Sequence, residues 1–149
     1  MSHGLTSAAG AFHAYQNLFL PIRMPNKALI DGVASINDYY SRLSMQRDEN
    51  IKPPEWVIRE LGYHLVNIKQ EHKAVEIFKF NLKSHPDLAS AYNGLAYIYE
   101  RLNRYDEALQ HINKALTLAT KKDSGYQVYI SRKNRLTAQV SGTNKAQLK

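Results

Sequence analysis

The chain has 149 residues, 44% of them hydrophobic, no cysteine, and a formal net charge of +7. It is long enough for one domain with a substantial core. The absence of cysteine excludes disulfides and thiolate metal sites and fits a reducing compartment. No run reaches the roughly 18 uninterrupted apolar residues of a membrane span, and the first residues lack a basic stretch followed by an apolar run, so the expectation is a soluble cytoplasmic protein without a membrane role.

In chain order, residues 1–50 read as two flanking helices. Leu5, Ala8, Ala9, Phe12, Tyr15 and Phe19 share one helix face up to Pro21, and Pro25-Asn26 suits a loop. Ser35 is placed to cap a second helix carrying Ile36, Tyr39, Tyr40 and Leu43, which stops within residues 46–50. Both are expected to pack against the helices that come next in the chain.

Pro53-Pro54-Glu55 open a different region, residues 54–140. Ile58, Leu61 and Leu65, then Ala74, Val75, Phe78 and Leu82 after a polar break, recur at intervals of three and four, giving two amphipathic helices joined by a turn. Pro86 ends this pair and Asp87 is placed to cap the next helix. The pattern then repeats after 34 residues: Leu61-Gly62 falls on Leu95-Ala96, Ala74 on Ala108 and Phe78 on Ile112. Such a period belongs to stacked helical repeats, which present surfaces rather than enclose active sites. Small residues at 62, 96, 74 and 108 mark where helix axes approach closely. Two units leave uncovered ends, and Asp123 or Ser124 can start a closing helix with Tyr126, Tyr129, Ile130, Lys133, Leu136 and Val140. Residues 141–149 read as a flexible basic tail.

These residues resemble the tetratricopeptide repeat over residues 55–120. Tyr92, Leu95, Ala96, Tyr99, Ala108, Ile112 and Ala115 meet its pattern, and Tyr105-Asp106-Glu107-Ala108-Leu109 looks like its second-helix opening. Asn81 stands where a small residue is usual and Thr120 where a proline would close the unit. The resemblance implies an all-α array of two repeats with flanking helices, working as a non-catalytic protein-interaction module. By that resemblance the first helix of each pair lines a concave groove, and Arg59, Tyr63, Asn67, Asn93, Tyr97 and Arg101 are its partner-binding residues for a peptide or protein. Trp56, Val66, Ser90 and Glu100 occupy further groove positions, although Trp56 serves equally well as core.

A second resemblance competes. The Ser-His-Gly start, Phe19-Leu20-Pro21, Asp38-Tyr39-Tyr40, Pro-Pro-Glu and Leu61-Gly62-Tyr63 look like the C-terminal region of esterases of the α/β-hydrolase class, with His3 where a triad histidine would stand. That reading makes the chain a tail that docks on a catalytic domain or forms a homodimer. Catalysis itself is not expected, because there is no Gly-x-Ser-x-Gly elbow.

The six histidines form no i, i+4 pair, and the glycines no phosphate loop, so neither a metal nor a cofactor is expected. Charge is uneven: residues 121–149 hold seven Lys and Arg against one Asp. Lys121, Lys122, Arg132, Lys133 and Arg135 are either a solvated capping face or a contact for an acidic partner. Only Tyr126 and Tyr129 are available there for base stacking, which speaks against nucleic acid.

Overall fold

The computed structural model describes residues 31–147, with side chains described as far as residue 142. The chain divides into two compact units at Pro53/Pro54. The expected first helix, its loop and His3 lie outside the described residues.

In the first unit, α1 (Val33–Arg47) buries Ile36, Tyr40 and Leu43, a spacing of four and three that puts them on one face. The helix begins two residues before Ser35. Its N-cap is Gly32, whose φ of 95° favours a residue without Cβ, so Ser35 sits inside the first turn and caps nothing. Asp48 ends the helix in the left-handed conformation, and its amide bonds back to the Ser44 carbonyl. Ser44 Oγ also accepts from the Ile51 amide at 2.9 Å, which ties the following strand of chain to the helix.

The second unit runs α2 (Glu55–Asn67), α3 (Glu71–Ser84), α4 (Ala89–Arg101), α5 (Tyr105–Leu118) and α6 (Tyr126–Gln147). With no strand among the described residues, this is an all-α array of the tetratricopeptide type. The 34-residue period is written into the backbone as well as the side chains. Lys69 and Asn103, 34 apart, both adopt the left-handed conformation at φ 60° and 58°. The turn bonds repeat with them: the Gln70 amide reaches the Leu65 carbonyl at 2.8 Å and Arg104 reaches Tyr99 at 2.9 Å. These tight αL turns satisfy carbonyls at the helix ends and fold each pair back on itself.

Consecutive helices pack from α2 to α6, and α2 also touches α4, so alternate helices approach on one face. Phe78 of α3 wedges between two of these helices. Its ring is fully buried between Gly62 of α2 and Gly94 of α4; a Cβ on either glycine would lie 2.6 Å or 2.5 Å from ring carbons. Gly62 is the small residue the pattern predicts, whereas Gly94 is a neighbour of the predicted Ala96.

Four local expectations change. On α3 the buried side chains are Ala74, Ile77, Phe78 and Asn81, with Val75 and Leu82 half-exposed, because Phe78 fixes the rotation of the helix. Asp87 is not the cap of α4: the N-cap is Leu88, and no side chain bonds the first turn. Asp123 likewise does not cap α6, since its carboxylate accepts from the Thr120 amide at 2.8 Å and hydroxyl at 2.9 Å, closing the turn before the helix. α6 itself continues past Val140 to Gln147. No helix of the described residues is long and apolar enough to cross a membrane.

Ala108 is fully buried on α5 while Lys114 is exposed. Ala108→Leu should destabilise the array by about 1–3 kcal/mol through overpacking, and Lys114→Ala should be nearly neutral. Equal shifts in urea midpoint for the two would disprove the register.

On the same repeat His111 stacks on Tyr99 at 5.5 Å between ring centroids, and the Arg104 guanidinium lies 4.5 Å from the centroid of the Tyr99 ring. Burial holds the imidazole below its usual range, and Glu107 offsets this only in part. The folded state therefore favours neutral His111. Its contribution is full above the ordinary histidine value and is lost as pH falls through that value toward the folded one. Thermal midpoints should begin to fall just below neutrality in the wild type and stay flat there in His111→Gln. Parallel pH profiles would refute the assignment.

Candidate protein-interaction site

Three helices bring side chains to one open cleft of about 400 Å³. α2 supplies Arg59 and Tyr63, the start of α4 supplies Leu88, Ser90 and Asn93, and the start of α6 with its preceding turn supplies Asp123, Ser124, Val128 and Tyr129. The helical period explains the selection: Arg59 and Tyr63 are four residues apart on one face of α2, and Ser90 and Asn93 three apart on α4.

Arg59 is held from behind by a chain of hydrogen bonds. Arg59 Nη1 donates to Glu55 Oε2 at 3.1 Å, and Glu55 Oε1 accepts from Asn81 Nδ2 at 3.2 Å. Asn81 is fully buried. Its departure from the small residue of the repeat pattern thus has a local reason, since it anchors the carboxylate that aims Arg59 at the cleft. Its Oδ1 has no hydrogen-bond partner among the described residues.

Tyr63 packs edge-on against Phe78 at 5.4 Å and Tyr97 at 5.1 Å. Burial pushes its hydroxyl above the ordinary tyrosine value, against the opposing pull of Arg132 and Arg59, so it stays protonated and able to donate. Tyr129 is buried on α6 and its hydroxyl is likewise raised by burial. Gly125 lies against it: a Cβ there would stand 2.6 Å from the Tyr129 oxygen and the ring would have to shift.

Farther along α4, side chains of the closing helix α6 lie over the helix. Arg132 is only 9% exposed. Its Nη1 donates to Asn93 Oδ1, its Nε donates to Glu100 Oε2 at 3.0 Å, and its guanidinium lies 5.3 Å from the Tyr97 ring centroid. Arg135 donates to both Glu100 oxygens. Burial alone would raise the Glu100 carboxyl, but the hydrogen bonds and charges of Arg135 and Arg132 outweigh it and hold the group below its ordinary range.

Of the six expected partner-binding residues, Arg59, Tyr63 and Asn93 line the cleft. Tyr97 lies beside it, joined to Tyr63 by ring contact and covered by Arg132, with the Arg101 guanidinium 6.0 Å from its ring centroid. Arg101 and Asn67 are exposed and line none of it. Trp56 is 44% exposed and also stands outside the lining, while Val66 is buried. Sequence reading missed the α6 wall, Val128 and Tyr129 above all. The signal was present in the spacing of Tyr126 and Tyr129, which matches the first helix of a third, incomplete repeat. The basic end is also redistributed: Arg132 and Arg135 are committed to Glu100, leaving Lys121, Lys122 and Lys133 exposed.

The model of the family described as Tetratricopeptide repeat matches residues 72–121, which covers nearly all of α3, α4 and α5. No curated protein and no solved structure matches the chain.

Proposed function

We propose that the chain is a non-catalytic protein-interaction module that receives a short extended segment of a partner protein in the cleft between α2, α4 and α6. The observation that carries this reading is the convergence of three helices on one open cleft with a mixed lining. Arg59, Tyr63, Ser90 and Asn93 offer directional hydrogen bonds to a peptide backbone or carboxylate, while Leu88 and Val128, 43% and 53% exposed, form apolar lips. A volume of about 400 Å³ suits a few residues of extended chain rather than a whole domain. The tetratricopeptide match over residues 72–121 supports the same class of role. A reducing, cytoplasmic setting is consistent with the absence of cysteine.

The test is affinity capture from the native cell extract with the wild-type chain and a Leu88→Ser/Val128→Gln variant side by side. A partner retained by the wild type and lost by the variant supports the cleft. A partner retained equally by both places binding elsewhere, and recovery of the chain itself would identify the partner as a second copy.

A further inference from the structure

α6 is 22 residues long, yet among its described side chains only Tyr129, Arg132 and Leu136 are buried. α2 buries six residues in 13 and α4 seven in 13. The helix that α6 packs on, α5, itself buries only Ala108, Ile112 and Ala115. The seat of α6 depends correspondingly on charge. One carboxylate, Glu100, accepts from Arg132 and from Arg135, and Arg132 reaches on to Asn93. The chain entering the helix favours movement as well: residues 120–124 are exposed, and the turn between Thr120 and Asp123 is closed by exposed hydrogen bonds.

What these arginines cover is the continuation of the cleft. Asn93 is among its lining, and Tyr97 and Glu100 follow on the same face of α4, one and two turns farther on. We propose that α6 is a releasable cover on the α4 face that carries Asn93, Tyr97 and Glu100, with Glu100 as its catch, and that lifting it bares this face toward Arg101 while withdrawing Val128 and Tyr129 from the cleft, so that the closed cleft and the bared face are alternative states of one site. Its consequence for binding rests on the cleft being the partner site. A segment that takes the place of α6 must bring its own cation to Glu100, since a part-buried carboxylate is not left unpaired.

Hydrogen exchange of the full chain, read by mass spectrometry without any partner, tests the cover separately from the cleft. In Glu100→Gln, amides of residues 130–136 should exchange about tenfold faster than in the wild type or more, while those of α2 and α3 stay within about twofold. Arg135→Gln, which keeps the Arg132 contact, should shift α6 in the same direction by a smaller factor. Raising the salt concentration on the wild type should also speed α6 selectively, which keeps the question open to test if Glu100→Gln fails to fold. Equal acceleration of α6 and α2–α5 would overturn the proposal, because α6 would then open only with the whole array. Unchanged α6 rates in both variants would overturn it too. Either failure leaves the cleft reading intact, which stands on the capture experiment.

Discussion

Phe78→Ala is expected to cost the array about 3–5 kcal/mol, the usual range for removing a fully buried phenylalanine. Against a total stability of about 5–15 kcal/mol, that brings the array close to unfolding. The ring is fully buried and fills the space created by two glycines on two different helices. Its loss therefore opens a cavity between α2 and α4 that neither can fill.

The same geometry makes a less intuitive prediction for the glycines. Alanine is the better helix former by about 1 kcal/mol, so Gly94→Ala would stabilise an isolated α4. Here the new Cβ would stand 2.5 Å from Phe78 Cδ1, and the ring has little room to retreat because it also lies against Gly62 of α2, where a Cβ too would stand 2.6 Å from it. Gly94→Ala should thus destabilise by about 1–3 kcal/mol, and adding Phe78→Leu should recover part of that loss. Denaturant midpoints would show both effects. A Gly94→Ala variant more stable than the wild type would contradict the wedge.

The second large effect concerns binding. Leu88 and Val128 are the exposed apolar side chains among the cleft lining, and both can be replaced without harming the fold. Leu88 is the N-cap of α4 with no side-chain bond to the first turn, so Leu88→Ser supplies a missing cap. Val128 lies in the first turn of α6, where glutamine is a good helix former. Each lip is half-exposed and should bury about 1 kcal/mol of apolar contact against a partner. Together they predict a loss of about 2 kcal/mol, roughly 30-fold in affinity, with an unchanged melting temperature. Replacing Lys121 and Lys122 by alanine should matter less. The opposite ranking, with affinity falling steeply as salt is raised, would indicate attraction by the basic end instead.

The repeat was legible because its determinants are local. Apolar spacing and the 34-residue offset depend on neighbours three and four apart, and the αL turns at Lys69 and Asn103 follow the same offset. What the sequence concealed depends on contacts across the array. The rotation of α3, with Ile77 inward rather than Val75, is set by Phe78 meeting Gly62 and Gly94 of other helices. Asp87 has the chemistry of a cap but falls one residue too early, with Leu88 at the N-cap. Asn81 read as a flaw in the pattern until its bond to Glu55, 26 residues away, gave it a purpose behind Arg59. The basic end read as surface charge because Glu100 lies 32 residues before Arg132, a separation at which composition carries no pairing information. For the candidate site, Arg59, Tyr63 and Asn93 followed from the groove positions that the tetratricopeptide resemblance implies, while the α6 wall required knowing where the closing helix docks.

The most direct measurement of whether the cleft is the partner site is photo-crosslinking in native extract from a reactive side chain placed at Val128, with Lys114 on the exposed face of α5 as the control. The cleft account predicts a discrete crosslinked partner from position 128, absent from position 114 and weakened by Leu88→Ser in the same chain. Crosslinking from position 114 with none from position 128 would contradict it.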